Sequence, residues 1–240
     1  GAELRYRTEV TTSTTTDVPC RPEARTEVDE ATLTATHRVL EVGDDGARVE
    51  VVLDRPGTGT RTVVVRFDRA AQLTSIEEVE GIAAASLGDL GLSEVFPPAA
   101  GAPPDRPLAP GDRWLIDDEV VLDGGAAGGR LTGEGELLEL GVEDGVETAT
   151  VSTTTRLPVS TSTTSARGSQ RLDGEQATEV LATYDLADGT LLRARSITTG
   201  SFRLELGPPP GGAGDPCIGT LAVSVESSVD REGVGVSPAG

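Results

Sequence analysis

The 240-residue chain contains no lysine, asparagine or methionine, and aromatic residues make up only 2% of it. The absence of lysine excludes lysine nucleophiles, and the absence of asparagine excludes N-linked glycosylation. With so few aromatic side chains, Val, Leu, Ile and Ala must supply nearly all of the buried apolar surface, and each of them buries less than Phe or Trp does. The length still allows one large β domain or two small ones.

The chain also has little positive charge. All 20 basic residues are arginines, and 40 acidic residues leave a formal net charge of −20. A field of this sign repels phosphate backbones, so we expect no nucleic-acid partner. An acidic surface also suits a saline habitat, and the composition does not separate that origin from codon usage.

The only two cysteines are Cys20 and Cys217, and each follows a proline in a turn-rich segment. No Cys-x-x-Cys motif is present, so a structural disulfide is favoured over a redox or metal pair. Closing nearly the whole chain in this way adds about 5 kcal/mol of stability in the chain-entropy model. A disulfide also predicts an oxidising, extracytoplasmic location. No apolar run approaches eighteen residues, and we expect no membrane-spanning helix.

Catalytic and metal-binding patterns are weak. His37 is the only histidine, and no Gly-x-Ser-x-Gly motif accompanies it, so we interpret it as a surface or sheet-packed residue. Acidic pairs such as Glu143-Asp144 lie outside any calcium-loop pattern and are interpreted as solvated hairpin tips. Trp114, the only tryptophan, is interpreted as a core anchor rather than as part of a ligand cavity. The sequence therefore predicts no enzyme, no cofactor and no metal site.

An internal repeat is the most informative feature. The stretch LTATHRVLEVGDDG begins at Leu33, and LTGEGELLELGVEDG begins at Leu131. Downstream, RFDRAAQL from Arg66 matches TYDLADGTL from Thr183, and upstream ELRYRTEV from Glu3 corresponds to RWLIDDEV. The matches occur in the same order in both halves, and Asp-Gly between alternating segments is a strong hairpin signal. A duplicated unit of antiparallel strands is predicted.

Period-two alternation supports these strands. Val49, Val51 and Leu53 share one face, and the same alternation predicts strands at three further places. Such strands form sheets with one dry and one wet face. The further alternating sets are Val63, Val65 and Phe67; Phe202, Leu204 and Leu206; and Leu221, Val223, Val225 and Val229.

Only one segment has helical spacing of its apolar residues, from Ile82 to Phe96, and Pro97-Pro98 ends it. We therefore predict a mainly β protein with duplicated antiparallel β-sheet units, as a half-barrel or curved sheet, and one short helix between the halves. The first repeat with this helix at its end spans 1–96, a Pro-rich linker 97–112, the second repeat 113–232 and a disordered tail 233–240. The pattern leaves open whether the repeats form one sheet or two domains.

Two segments carry a resemblance to known proteins. The run PLAPGDRW, which ends at Trp114, and the strand pair YDLADGTLLRARS, which begins at Tyr184, resemble those of uncharacterised actinobacterial cell-envelope lipoproteins. The second segment is also similar to a hairpin of LolA- and LprG-like lipid carriers. Those carriers fold as a curved antiparallel half-barrel whose concave side, closed by helices, takes up acyl chains. This chain offers one helix candidate rather than several, and no ligand-contacting residue transfers by motif.

The resemblance implies a secreted protein, or a lipoprotein anchored to the outer face of the cell membrane. We expect a non-enzymatic binding or carrier module for a lipid or other apolar small molecule. The alternative is a structural or protein-interaction module that binds another envelope protein and has no ligand cavity.

Overall fold

The computed structural model describes residues 2–20, 24–43, 46–57, 59–67, 73–79, 103–104, 106–120, 129–165, 168–208 and 214–236. Within these ranges eleven β-strands form one antiparallel sheet, and no helix occurs. The predicted β class is therefore confirmed, whereas the predicted helix at 82–96 lies outside the described residues. The strands are β1 (Ala2–Asp17), β2 (Arg25–Gly43), β3 (Gly46–Arg55), β4 (Gly59–Phe67), β5 (Leu73–Val79), β6 (Arg113–Val120), β7 (Gly129–Glu143), β8 (Val146–Ser165), β9 (Gly168–Asp185), β10 (Leu191–Gly207) and β11 (Cys217–Val236).

The first and last strands meet in the middle of the sheet. The order is β5-β4-β3-β2-β1-β11-β10-β9-β8-β7-β6, so β5 and β6 are the edges. Every other pairing joins strands that are consecutive in the chain, and all ten pairings are antiparallel. Both halves therefore belong to one open, curved sheet.

The two ends of the sheet differ in their connections. One end, which we call the hairpin end, carries the turns that join β2 to β3, β7 to β8 and β9 to β10. At the opposite end, Cys20 follows β1 and Cys217 begins β11. We call it the disulfide end.

One face of the sheet, called the inner face below, carries the buried apolar side chains. Val49, Val51 and Leu53 of β3 are buried on it, as their alternation predicts. Since no second layer occurs among the described residues, the burial of these side chains identifies the inner face as the concave one. Val64 departs from the alternation, because it is buried although it points to the opposite face from Val63 and Val65.

The structure describes the ends of two of the predicted segments. Strand β11 continues to Val236 and pairs with β1 there, four residues into the segment predicted to be a disordered tail. The end of the predicted Pro-rich linker at 97–112 contacts the sheet. The amide of Gly111 donates to the carbonyl of Leu137 at 2.7 Å, and Leu108 packs against the cluster around Trp114.

The segments of the predicted repeat lie in strands of the same order in each half. Leu33 is in β2, the second strand of the first half, and Leu131 is in β7, the second strand of the second half. Phe67 ends β4, and its match Tyr184 lies at the end of β9, the fourth strand of its half.

The strand pairings of the two halves are also interrupted at matching places. The β2–β3 pairing skips Leu40, and the β7–β8 pairing skips Leu138. The β4–β5 pairing skips Thr74, and the β9–β10 pairing skips Leu192. A skipped residue of this kind is a β-bulge, which bends the strand and increases its twist. Both halves therefore carry bulges at these positions, and the β4–β5 pairing also skips Glu77.

Trp114 lies across the sheet from a glycine that makes room for it. The two residues are directly opposite in the β6–β7 pairing, and a Cβ atom added to Gly135 would overlap the indole ring. Trp114 itself is buried and packs with Ile116, Leu137 and Ala149. It is thus a core residue, as the sequence suggests.

We expect Gly135→Val to expel this indole ring from the core. Because Trp114 is the only tryptophan, its emission maximum should shift to longer wavelength, and stability should fall by roughly 1–3 kcal/mol through overpacking. The matched control is Gly141→Ala in the same strand, where the nearest atom to an added Cβ is Thr148 Oγ1 at 3.4 Å. An unchanged emission spectrum for Gly135→Val contradicts this packing.

Candidate functional site

The inner face is the candidate functional site. Its apolar side chains form one continuous cluster that spans β1 to β4 and β9 to β11, and a smaller cluster around Trp114 extends it across β6 to β8. A single sheet that carries such a surface on its concave side is suited to enclosing an apolar body. The buried members of the larger cluster are Leu4, Tyr6, Leu33, Ala35, Val49, Val51, Leu53, Val63, Val65, Val180, Ala182, Ala194 and Val229.

Towards the disulfide end, the inner face of β8 to β11 carries partly buried apolar side chains around the buried Leu204. The strand registers place several aliphatic side chains and one phenyl ring on this part of the face, which we call the trough. Each of these side chains is only half-buried. Apolar surface is therefore accessible beside a buried core. The trough residues are Leu157, Val159, Leu172, Phe202, Leu221, Val223 and Val225.

Hydroxyl groups separate the trough from the buried cluster. Ser196 and Ser227 are hydrogen-bonded across β10 and β11 at 2.7 Å, and Thr178 and Thr198 are hydrogen-bonded across β9 and β10 at 3.0 Å. Thr8 in β1 is 0% exposed, and its Oγ1 has no hydrogen-bond partner among the described residues. The inner face therefore offers polar contacts within an apolar surface.

A buried polar cluster lies on the inner face near the hairpin end. Arg231 is opposite Tyr6 in the β1–β11 pairing, and its Nη2 lies 3.6 Å from Asp185 Oδ2. Its Nη1 donates to Thr190 Oγ1 at 2.7 Å. The side chains of Arg231 and Asp185 are only 13% and 11% exposed. The ring of His37 packs against Tyr6 with centroids 4.7 Å apart, which places the predicted sheet-packed histidine in this cluster.

Burial keeps the two rings of this cluster uncharged. Loss of hydration raises the pKa of Tyr6 to about 12, although Arg231 opposes the shift. Loss of hydration also lowers the pKa of His37 to about 4. At neutral pH the phenol is therefore a hydrogen-bond donor, and the imidazole is neutral.

The imidazole of His37 is partly buried and loses hydration in the fold, which predicts a loss of stability in mild acid. Because the folded-state pKa of His37 lies below the unfolded value of 6.5, the unfolded chain binds the extra proton between these values. The contribution of His37 to stability is complete above pH 6.5 and falls by about 3 kcal/mol as the pH drops through 4. Urea unfolding at several pH values measures it, with His37→Gln as the control that removes this component. Parallel curves for both proteins contradict the assignment.

The structure joins the two predicted cysteines in a disulfide. Their Cα atoms are 6.1 Å apart, and the bond connects the end of β1 to the start of β11. The backbone amide of Cys20 donates to Cys217 Sγ at 3.3 Å. Gly219 follows on β11, where an added Cβ would overlap the backbone of Asp17, so β1 and β11 approach closely here.

Other polar features lie on the outer face and form no site. Asp117 in β6 forms an ion pair with Arg130, and Glu143 at a hairpin tip pairs with Arg193 at 2.7 Å. A shallow depression of about 470 Å³ is lined by polar residues of β6 to β8, including Glu134. Within the described ranges, no group of three His, Cys, Asp or Glu residues could hold a metal ion.

The chain matches no protein-family model, and no curated protein is similar to it in sequence. The part of the chain that the structure describes contains no helix of the length and apolarity needed to cross a lipid bilayer.

Sequence reasoning missed the contribution of Arg231. Arginines are usually solvated, and nothing in the neighbouring run SSVDREGV distinguishes this one. The signal that could have found it is spacing: Arg231 is an even number of residues from Val225 and Val229. This spacing places it on the same apolar face once β11 is known to continue past it.

Proposed function

We propose that this protein is a non-enzymatic, extracytoplasmic carrier that binds an acyl chain or a similar apolar ligand on its inner face. The observation that carries the proposal is the concave apolar surface, continuous over most of one open sheet and only partly buried in the trough. Burying each methylene group of a chain there contributes about 0.8 kcal/mol. The resemblance to half-barrel lipid carriers points the same way.

We also propose that the sheet arose by duplication of a five-stranded unit. Strands β1 to β5 and β6 to β10 run in the same order across the sheet, and β11 lies between the two sets. The sequence matches and the β-bulges at Leu40 and Leu138 support this origin, because chance rarely produces both in the same register. Two copies of a unit with one apolar face give a concave surface wide enough for a guest.

The location outside the cytoplasm is supported by the disulfide between Cys20 and Cys217, since such bonds persist in oxidising compartments. A secreted protein and a lipoprotein on the outer face of the cell membrane both fit this reasoning.

A structural or protein-interaction module is the second candidate, and a separate observation favours it. Leu140, Val142 and Leu186 are 50%, 68% and 50% exposed at neighbouring hairpin tips, and the amide of Leu186 donates to the carbonyl of Glu147 between them. Exposed aliphatic groups that lie together are typical of protein contacts. For this second function, Val142→Ser should weaken partner binding.

Calorimetric titration with dodecan-1-ol tests the carrier function. We expect one site per chain, and Val223→Glu in the trough should weaken binding at least about tenfold, because a chain cannot lie against a desolvated charge. The matched control is Ile197→Glu on the outer face, where the side chain is 49% exposed and the affinity should stay within about twofold. No binding by the parent protein, or equal losses in both variants, overturns the proposal.

A further inference from the structure

We propose that Arg231 anchors a small anionic headgroup, a carboxylate or a phosphate monoester, at one end of the bound acyl ligand. This inference rests on the proposed carrier function and specifies the ligand that the same inner face takes. The geometry that points to it is a buried guanidinium on an apolar surface, beside a buried hydroxyl that has no partner.

Arg231 is more deeply buried than the arginines of the surface ion pairs. Its side chain is 13% exposed, whereas the arginine side chains in twelve other ion pairs of the described residues are 41% to 77% exposed. Those other arginines lie in solvated surface pairs. A guanidinium withdrawn from water is stabilised only when anions or acceptors surround it. Its place on the inner face opposite Tyr6 therefore calls for acceptors there.

The contacts within the protein meet this need only in part. A guanidinium carries five N–H donors in a planar fork. One of them donates to Thr190 Oγ1 at 2.7 Å, while the 3.6 Å between Nη2 and Asp185 Oδ2 exceeds hydrogen-bond length. Asp185 Oδ1 accepts from the amide of Ala187 at 2.9 Å, so this carboxylate is held by its own turn. The described contacts leave part of the fork for a second anion, which it can bind in bidentate fashion.

Thr8 supplies an independent observation. It lies two residues along β1 from Tyr6 on the same inner face, and it is 0% exposed. Its Oγ1 has no hydrogen-bond partner among the described residues. A buried hydroxyl without a partner is unfavourable, and a polar atom of a bound molecule would satisfy it. Tyr6 lies in the same row as Arg231, and Thr8 lies two residues along β1, so three donors are on one region of the inner face.

The acidic character of the protein does not oppose this assignment. Solvent-exposed charges that are farther apart than about 8 Å are largely screened at physiological ionic strength. Arg231 and Asp188 act on Tyr6 through their charges, and Asp185 faces Arg231. A headgroup bound here competes with Asp185 for a guanidinium that can bridge two anions, and in a water-poor site such bonds are strong.

Three ligands with the same C12 chain test the inference by calorimetric titration: dodecan-1-ol, dodecanoate and dodecyl phosphate. We expect the parent protein to bind at least one of the two anions about tenfold or more tightly than the alcohol. Arg231→Gln should remove this preference and leave the affinity for dodecan-1-ol unchanged. The matched control is Arg193→Gln, whose side chain is 54% exposed in an outer-face pair and which should keep the preference. The anion that binds more tightly, dodecanoate or dodecyl phosphate, shows whether the headgroup site prefers a fatty acid or a phosphate ester.

Equal affinities of the parent protein for all three ligands overturn the headgroup assignment and leave the carrier function standing. The same holds if Arg231→Gln retains the preference for the anion. Failure of all three ligands to bind overturns the carrier function itself. If Arg231→Gln does not fold, Arg231→Gln combined with Asp185→Asn avoids the unpaired buried carboxylate and gives the same comparison.

Discussion

Replacing both cysteines by serine, Cys20→Ser with Cys217→Ser, should lower the free energy of unfolding by about 5 kcal/mol. The bond spans a sequence separation of 197 residues and joins the two central strands of the sheet, so its loss restores freedom to nearly the whole unfolded chain. This loss is a large fraction of the free energy of unfolding of a typical native protein, which is roughly 5–15 kcal/mol. Urea unfolding monitored by circular dichroism measures it.

A reducing agent provides the control for this prediction. It should destabilise the parent protein by a similar amount and leave the double serine variant unaffected. A decrease of less than about 1 kcal/mol in both experiments would show that the unfolded chain keeps its ends together without the bond.

Arg231→Met should destabilise the protein by about 3 kcal/mol, the lower end of the cost of breaking a buried ion pair from one side. The methionine fills most of the space of the arginine, so the main effect is the uncompensated charge of Asp185, which is 11% exposed. Chemical unfolding at neutral pH measures the change. Since Asp185 also caps the turn through the amide of Ala187, its carboxylate cannot simply rotate into water.

The double-mutant cycle with Asp185→Asn isolates this charge effect. Adding Asp185→Asn to Arg231→Met should recover most of the lost stability, because an amide needs no counter-ion and can still accept from Ala187. Arg193→Met, at a pair with 54% and 39% exposed side chains, should change stability by less than about 1 kcal/mol. Equal effects of the two arginine variants would show that Arg231 is no more buried in solution than a surface residue.

The individual strands were predictable because local periodicity encodes them. The alternation of Val49, Val51 and Leu53 identifies the dry face of β3 without any long-range information. Val64 shows the limit of this reasoning, since an aliphatic residue on the opposite face is buried as well. Burial of that kind depends on neighbours that periodicity does not specify.

The order of the strands was less accessible from the sequence. Pairing of β1 with β11 brings the two ends of the chain together, and no local pattern encodes a contact of that separation. The predicted disulfide between Cys20 and Cys217 was the one available indication that the two ends of the chain meet. In the structure this bond links β1 to β11. The strand continuation over Gly233 to Val236 escaped prediction because glycine alternates with valine there, and only the partner β1 stabilises it.

The candidate site was predictable as a surface but not as a cluster. One-sided strands imply an apolar face, and this much followed from alternation. Tyr6 comes close to Arg231 and to His37 only because of the register between the strands. A shift of the register by one residue would move these side chains to opposite faces of the sheet. His37 was predicted to be a surface or sheet-packed residue, whereas its neighbours could be found only after the pairing was known.

Native mass spectrometry after incubation of the purified protein with a lipid extract tests the central claim most directly. The inner face should retain one acyl lipid per chain, and Ile197→Glu on the outer face should retain it as well, whereas Val223→Glu in the trough should be free of lipid. A parent protein that stays free of lipid, or a Val223→Glu variant that binds as much as the parent, contradicts a carrier function for this sheet.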